Sequence, residues 1–309
     1  MSATRIVPLP TLARGGYGKA MSALISLAAA ELGEPVDPRV AEMAAAIAAL
    51  YPEAARTVLF YGSCLRQREL DGLMLDFYLI VSDYRSAYGK GWLAFANRLV
   101  PPNVFPFAYE GLAAKYAVLS EQDFERECGP GARSVSVWAR FAQPARLVWA
   151  KDEAARERAV AAVADAAPTL FALTLPAMKA KRDDPLAVFR AGFALTYGAE
   201  LRAERRDKAG SIVDADPDFY RRTGAAVLAG GVPAAAARSW RWRQRKGKLL
   251  SILRLAKAST TFAGGADYLV WKINRHAGTK IALKPWQRRW PILSALILLP
   301  LLLRRGAIR

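Results

Sequence analysis

The chain has 309 residues, 53% of them hydrophobic, which is enough for a sizeable core and excludes a disordered protein. A formal net charge of +18, from 45 Lys+Arg against 27 Asp+Glu, calls for an anionic partner, either nucleic acid or a membrane surface. Two cysteines (Cys64, Cys128) and one histidine (His276) exclude a disulfide scaffold, a four-cysteine zinc site and a multi-histidine metal centre.

In chain order, Met1–Gly16 has no apolar core of signal-peptide length, and a reducing compartment is expected. Ser22–Leu50 is rich in alanine and leucine and is split by Pro35 and Pro38 into two predicted helices. Thr57–Tyr61 and Leu75–Val81 read as buried strands, with Lys115–Leu119 and Arg146–Trp149 as a third and fourth. Pro101-Pro102-Asn103 marks a loop, and Glu121–Glu127 an acidic helix. Beyond Asp152 the strand signal fades. Ala154–Ala166 and Pro185–Arg206 read as helices, Asp207–Gly210 as a polar break, and Ala225–Ala237 as a loop-and-helix connection. The expected fold class is α/β, in three parts: residues 1–150, a mostly helical 151–237, and a basic amphipathic tail, 238–309.

The charge is concentrated in that tail. Residues 238–309 hold 17 Lys+Arg and one acid, Asp267, whereas residues 1–237 are close to neutral. Ser239–Lys248 interleaves Trp240 and Trp242 with basic residues, a pattern shared by RNA-binding segments and membrane interfaces. Trp290–Leu303 then runs almost unbroken in aliphatic residues between Arg288-Arg289 and Arg304-Arg305. It is shorter than the ~18 apolar residues of a span and contains Pro291 and Pro300, which suits a segment lying in the lipid interface. Lipid is therefore the preferred partner.

The chemical signal lies in Tyr61–Asp83, YGSCLRQRELDGLMLDFYLIVSD. A strand ends in Gly62-Ser63, a helix-length connection follows, and the next strand opens with Asp76, the layout of nucleotidyltransferase-fold enzymes. Gly62 lets the backbone approach a triphosphate, Ser63 donates to its outer phosphates, and Asp76 is the candidate Mg²⁺ ligand. A turn and a strand-end aspartate explain the same residues. The superfamily's second carboxylate, expected two residues on and on the same side of the strand, is here Tyr78. Arg66 and Gln67 follow the turn within reach of a phosphate, or are exposed helix residues. Asp83, seven residues past Asp76, is too distant to share its ion and reads as a cap. Cys64 reads as packing.

Together YGSCLRQ, DFYLIVSD, AKYAVLS (Ala114–Ser120), RFAQPARLVW (Arg140–Trp149), YGAELR (Tyr197–Arg202) and SILRLAKASTTFAGGADYLVWKI (Ser251–Ile273) resemble the mitochondrial-type phosphatidate cytidylyltransferases, the translocator assembly and maintenance protein 41 family. The blocks run in order over about residues 55–275. That family also has a hydrophobic residue at the position of Tyr78. Cys64 in place of a glycine, Glu200 in place of an aspartate, and a poorly matched 90–100 depart from it. The resemblance implies that CTP and phosphatidic acid react, with Mg²⁺, to CDP-diacylglycerol and pyrophosphate in phospholipid biosynthesis. It implies Asp76 and Lys115 as catalytic residues, with Asp76 on the metal. It also implies Gly62, Ser63, Arg66, Gln67, Tyr116, Glu200, Arg202 and Lys208 as substrate-binding residues, and Ser251–Ile273 as a membrane-associating helix.

A lipid phosphate is already anionic near neutrality, so no general base is required, in keeping with a chain of one histidine. The expected location is the cytoplasmic face of a bacterial inner membrane, and the expected partners are CTP, phosphatidic acid and anionic lipid, not nucleic acid. A nucleotidyltransferase acting on RNA, and an inactive membrane adaptor of the same fold, are the competing readings.

Overall fold

A computed structural model of the chain describes residues 14–66, 70–89, 91–199, 208–232 and 240–261. It opens with α1 (Arg14–Leu32) and α2 (Pro38–Ala49). Pro38 sits in the first turn of α2, and Asp37 caps it by accepting from the Arg39 backbone N–H at 2.9 Å. Then come β1 (Ala55–Tyr61), a one-turn 3₁₀ helix (Ser63–Arg66), β2 (Met74–Val81), α3 (Tyr84–Tyr88), α4 (Gly91–Leu99), β3 (Asn103–Tyr109) and β4 (Leu112–Ser120). After these follow α5 (Glu121–Cys128), α6 (Trp138–Phe141) and β5 (Ala145–Ala150). The rest is helical: α7 (Glu153–Ala164), α8 (Ala166–Thr174), a 3₁₀ turn (Leu175–Ala177), α9 (Pro185–Tyr197), α10 (Lys208–Asp214), α11 (Pro217–Gly230) and α12 (Trp240–Thr261).

The protein is thus mixed α/β. Its five-stranded sheet has the order β3-β4-β2-β1-β5; β2 and β4 run parallel and every other neighbouring pair antiparallel. Each of the four predicted strands forms, extended by one to four residues. The fifth, β3, replaces part of the expected loop. Its sequence, NVFPFAY, contains Pro106, which cannot donate to a ladder and speaks against a central strand. The fold resolves the conflict by placing β3 at the sheet edge, with Pro106 opposite Lys115. The connection after Gly62 begins with one 3₁₀ turn rather than an α-helix. Helix α10 starts at Lys208, inside the polar break expected at 207–210.

Side-chain alternation gives the sheet two buried faces. On one, Val58, Phe60, Phe77, Leu79 and Val118 pack with Met43 and Ile47 of α2. On the other, Leu59, Tyr78, Ile80 and Leu119 join Trp138 and Phe141 of α6 and a large helical cluster through Leu170, Phe171, Phe189 and Tyr220. Helices beyond residue 150 therefore share a core with the sheet. The stretch Glu153–Ala177 is long and apolar enough to cross a membrane, but 78% of its most apolar window is buried inside the molecule.

Helix α12 lies against β3 and the end of α9. The Trp240 indole N–H donates to the Leu173 carbonyl at 2.8 Å. Gly247 lies so close to the backbone of Ala199 that a Cβ there would come within 2.2 Å of its carbonyl oxygen. Residues 262–309, with the aliphatic run 290–303, lie outside the described residues.

Candidate functional site

The site is built where β1 ends. Tyr61 pairs with Asp76 across the antiparallel ladder, and Gly62 follows with φ +97°, a conformation that L side chains rarely adopt. The turn folds over the aspartate: a Cβ on Gly62 would lie 3.5 Å from Asp76 Oδ2. Ser63 is exposed beside it.

Across the parallel ladder Asp76 neighbours Lys115, whose Nζ lies 2.6 Å from Asp76 Oδ1. Alternation puts Asp76 on the same face as Tyr78, and Lys115 on the same face as Ala117. The glycine turn, the acid and the lysine thus meet on the α6 side of the sheet. Where a second carboxylate would stand, Tyr78 instead packs its ring on Tyr61 and Phe141, at centroid distances of 5.2 and 5.3 Å.

Beside this cluster is a cavity of about 150 Å³. Tyr61, Tyr78 and Ala117 of the sheet, with Pro102 and Val104 at the β3 edge, supply its apolar wall. Lys115, Arg140 of α6, and Arg254 and Lys257 of α12 bring four basic side chains to its lining, together with Ser136. Arg254 Nε donates to the Pro101 carbonyl at 2.7 Å, and its guanidinium also reaches the hydroxyls of Ser136 and Ser134. Lys257 donates to the Val100 carbonyl. Burial and the neighbouring Arg254 charge pull the Lys257 ammonium down to about 7. Burial, followed by the Asp76 carboxylate, holds the Tyr61 phenol well above its ordinary value, so it stays neutral.

Of the predicted site residues, Gly62, Ser63, Asp76 and Lys115 come together. Tyr116 does not. It alternates to the opposite face, is buried there, and its hydroxyl lies 3.1 Å from that of Tyr51 in the α2-side core. Arg66 ends the 3₁₀ turn and Lys208 opens α10. Gln67, Glu200 and Arg202 lie outside the described residues. Asp83 caps α3, accepting from the Arg85 and Ser86 backbone at 2.8 and 3.0 Å. Cys64 is buried, and burial, more than the Asp76 charge, pushes its thiol up, away from reactivity.

Arg140, Arg254 and Lys257 are absent from the sequence-based site. A signal existed for the last two: basic residues three apart in SILRLAK share one face of a helix. What points that face toward the sheet is tertiary packing.

Among the described residues one carboxylate, Asp76, stands beside the open backbone turn, a donor set that fits Mg²⁺ arriving on a triphosphate, since this ion keeps most of its coordination in phosphate oxygens and water. No protein-family model matches the chain, and neither does any curated protein searched.

Proposed function

We propose that this chain has the nucleotidyltransferase fold and works as a phosphatidate cytidylyltransferase, transferring the cytidylyl group of CTP to phosphatidic acid at an anionic membrane surface. The observation that carries this reading is the Gly62 turn closing on Asp76, with Lys115 paired to the same carboxylate. The resemblance of the sequence blocks to the mitochondrial-type enzymes supplies the choice of CTP and of a lipid acceptor.

In this reading a phosphate oxygen of the lipid attacks the α-phosphorus of CTP. A new phosphoanhydride bond forms, the α–β bond breaks, and pyrophosphate leaves. The backbone at Gly62 and the Ser63 hydroxyl hold the outer phosphates. Asp76 holds Mg²⁺, which supplies neutralisation of the triphosphate charge. Lys115 fixes the Asp76 carboxylate and adds a positive charge where two anions must meet. No side chain is asked to remove a proton.

The membrane part of the reading rests on a described surface. Trp92, Phe95 and Leu99 of α4 lie at helical spacing and are 55%, 67% and 67% exposed. On α12, Trp242, Leu249 and Leu253 are also exposed, with Lys246 5.2 Å from the Trp242 ring centre. Apolar side chains among basic ones suit the headgroup layer of an anionic bilayer. Pyrophosphate release by the full chain with Mg²⁺, CTP and phosphatidic acid vesicles tests the proposal. Release that requires both CTP and the lipid is expected; absence of release, or equal release without lipid, rejects it.

A further inference from the structure

We infer that α4 is a membrane-insertion element: its outer face enters the headgroup layer of an anionic bilayer and brings the site to the level of the lipid phosphates. The inference deepens the proposed function and rests on it for the choice of lipid as the partner. It goes beyond it in making α4, rather than the basic tail, the inserted element, and in setting the position of the reacting groups against the bilayer.

Helix α4 is built the wrong way round for a surface that faces water. Trp92, Phe95 and Leu99 follow the i, i+3, i+7 spacing of one helix face and are 55%, 67% and 67% exposed. The residue that α4 buries is polar, Asn97, at 0% exposure. Asn97 Nδ2 donates to the Val118 carbonyl at 2.9 Å, and Asn103 Nδ2 of β3 donates to the Leu93 carbonyl at 3.3 Å. Asn103 and Val118 are paired across the β3–β4 ladder, so both bonds hang the helix from one rung of the sheet. Polar bonds thus take up part of the holding that an ordinary surface helix leaves to its apolar face, and that face is turned outward. A lone exposed apolar residue needs no explanation, but three on one helix face mark an interaction surface.

Charge selects the occupant. From Tyr84 to Tyr109 the sequence has Arg85, Lys90 and Arg98 and no acid; α12 has no acid either, and turns Arg241, Arg245 and Lys248 to solvent. The two helices are tied together just beyond Leu99, where Arg254 and Lys257 donate to the Pro101 and Val100 carbonyls. A second copy would set like charge against like, whereas anionic lipid is attracted by about 1 kcal/mol per cation near the surface. Place then joins the helix to the chemistry. Pro102, three residues past Leu99, lines the cavity beside Lys115, so the two Cα atoms are at most about 11 Å apart. An interfacial helix sinks about 5–10 Å into the headgroup–acyl boundary. With α4 at that depth the cavity wall stands at the height of the headgroups, and an acceptor lipid meets Asp76 and Lys115 without leaving the bilayer.

The test uses the full chain and vesicles of phosphatidylcholine mixed with phosphatidylglycerol, with neither phosphatidic acid nor CTP present. An environment-sensitive fluorophore on Phe95→Cys reports on α4, and one on Glu157→Cys, exposed on α7, is the control. Cys64 and Cys128 are buried, and the wild-type chain treated with the same reagent gives their background. Emission from position 95 should shift to the blue on vesicles and be quenched by lipid brominated in its acyl chains, while position 157 changes little. Vesicles of phosphatidylcholine alone should give a much smaller response. Phe95→Asp should weaken vesicle binding about tenfold or more and Phe95→Trp should retain it, with urea unfolding the same in both. No shift at position 95, an equal shift at position 157, or an equal response to phosphatidylcholine alone would overturn the inference. So would a dimer in sedimentation equilibrium that Phe95→Asp dissociates, since the face would then belong to a second copy. The two readings fail separately. Insertion of α4 without pyrophosphate release in the complete reaction rejects the cytidylyltransferase alone, and release without a shift at position 95 rejects the role of α4 alone.

Discussion

At the scale of single residues, the site depends on a backbone angle. Gly62 takes φ +97° with Asp76 Oδ2 3.5 Å from where its Cβ would be. Gly62→Ala should therefore cost about 1–2 kcal/mol of stability from the angle alone, read in urea unfolding. It should also weaken Mg²⁺-CTP binding, because the turn must open to relieve the strain. An alanine variant of wild-type stability and affinity would show that the turn is not required. The glycine, the serine after it and the acid were legible in the sequence, since they lie where the β-branched and aromatic run of β1 ends and that of β2 begins, whereas Lys115, inside β4, was indicated only by the resemblance. Tyr116 was misplaced for an equally simple reason. It is next to Lys115, and adjacent residues on a strand point to opposite faces.

At the scale of elements, the helix that closes the cavity is fixed by contacts no periodicity reveals. Gly247 to Ala ordinarily stabilises a helix interior by about 1 kcal/mol, yet here the added methyl meets the Ala199 carbonyl oxygen at 2.2 Å. The substitution should destabilise by about 1–3 kcal/mol and loosen α12, which limited proteolysis and the fluorescence of Trp240 would register. Lys257 provides a pH-dependent check on the same docking. With its ammonium at about 7 in the folded chain and 10.5 ordinarily, the unfolded state binds more protons between those values. Stability should rise with pH across that window by about 1 kcal/mol per unit, and Lys257→Met should flatten the rise. An unchanged slope in the variant would contradict the burial of Lys257 against β3. Strand β3 was hidden by Pro106, which reads as loop in sequence and is tolerated only because the strand is at an edge. The basic face of α12 falls within the expected basic amphipathic tail, and composition carries no information about which of its cations turn inward.

At the scale of the whole molecule, the exposed apolar residues of α4 and α12 and the net charge of +18 bear on one question, what surface the protein works on. Trp92→Ser, Phe95→Ser and Leu99→Ser combined should lower co-sedimentation with phosphatidylglycerol vesicles about tenfold, with little change in stability, since all three side chains are largely in water. Undiminished vesicle binding, together with a salt-dependent shift of RNA in a gel, would favour the RNA reading instead. The surface, unlike the strands, could be anticipated only in part: the tryptophan–arginine interleaving of α12 is plain in the sequence, while α4 shows its apolar side outward only once the sheet is assembled. The central claim is that Asp76, under the Gly62 turn, serves cytidylyl transfer to a lipid phosphate. It is tested most directly by following CTP labelled in its α-phosphate in the presence of Mg²⁺ and phosphatidic acid vesicles. Wild-type protein should move the label into CDP-diacylglycerol, and Asp76→Asn should lower that rate by about a hundredfold or more. Label that stays in CTP with the wild-type chain, or moves equally well with Asp76→Asn, would contradict the account.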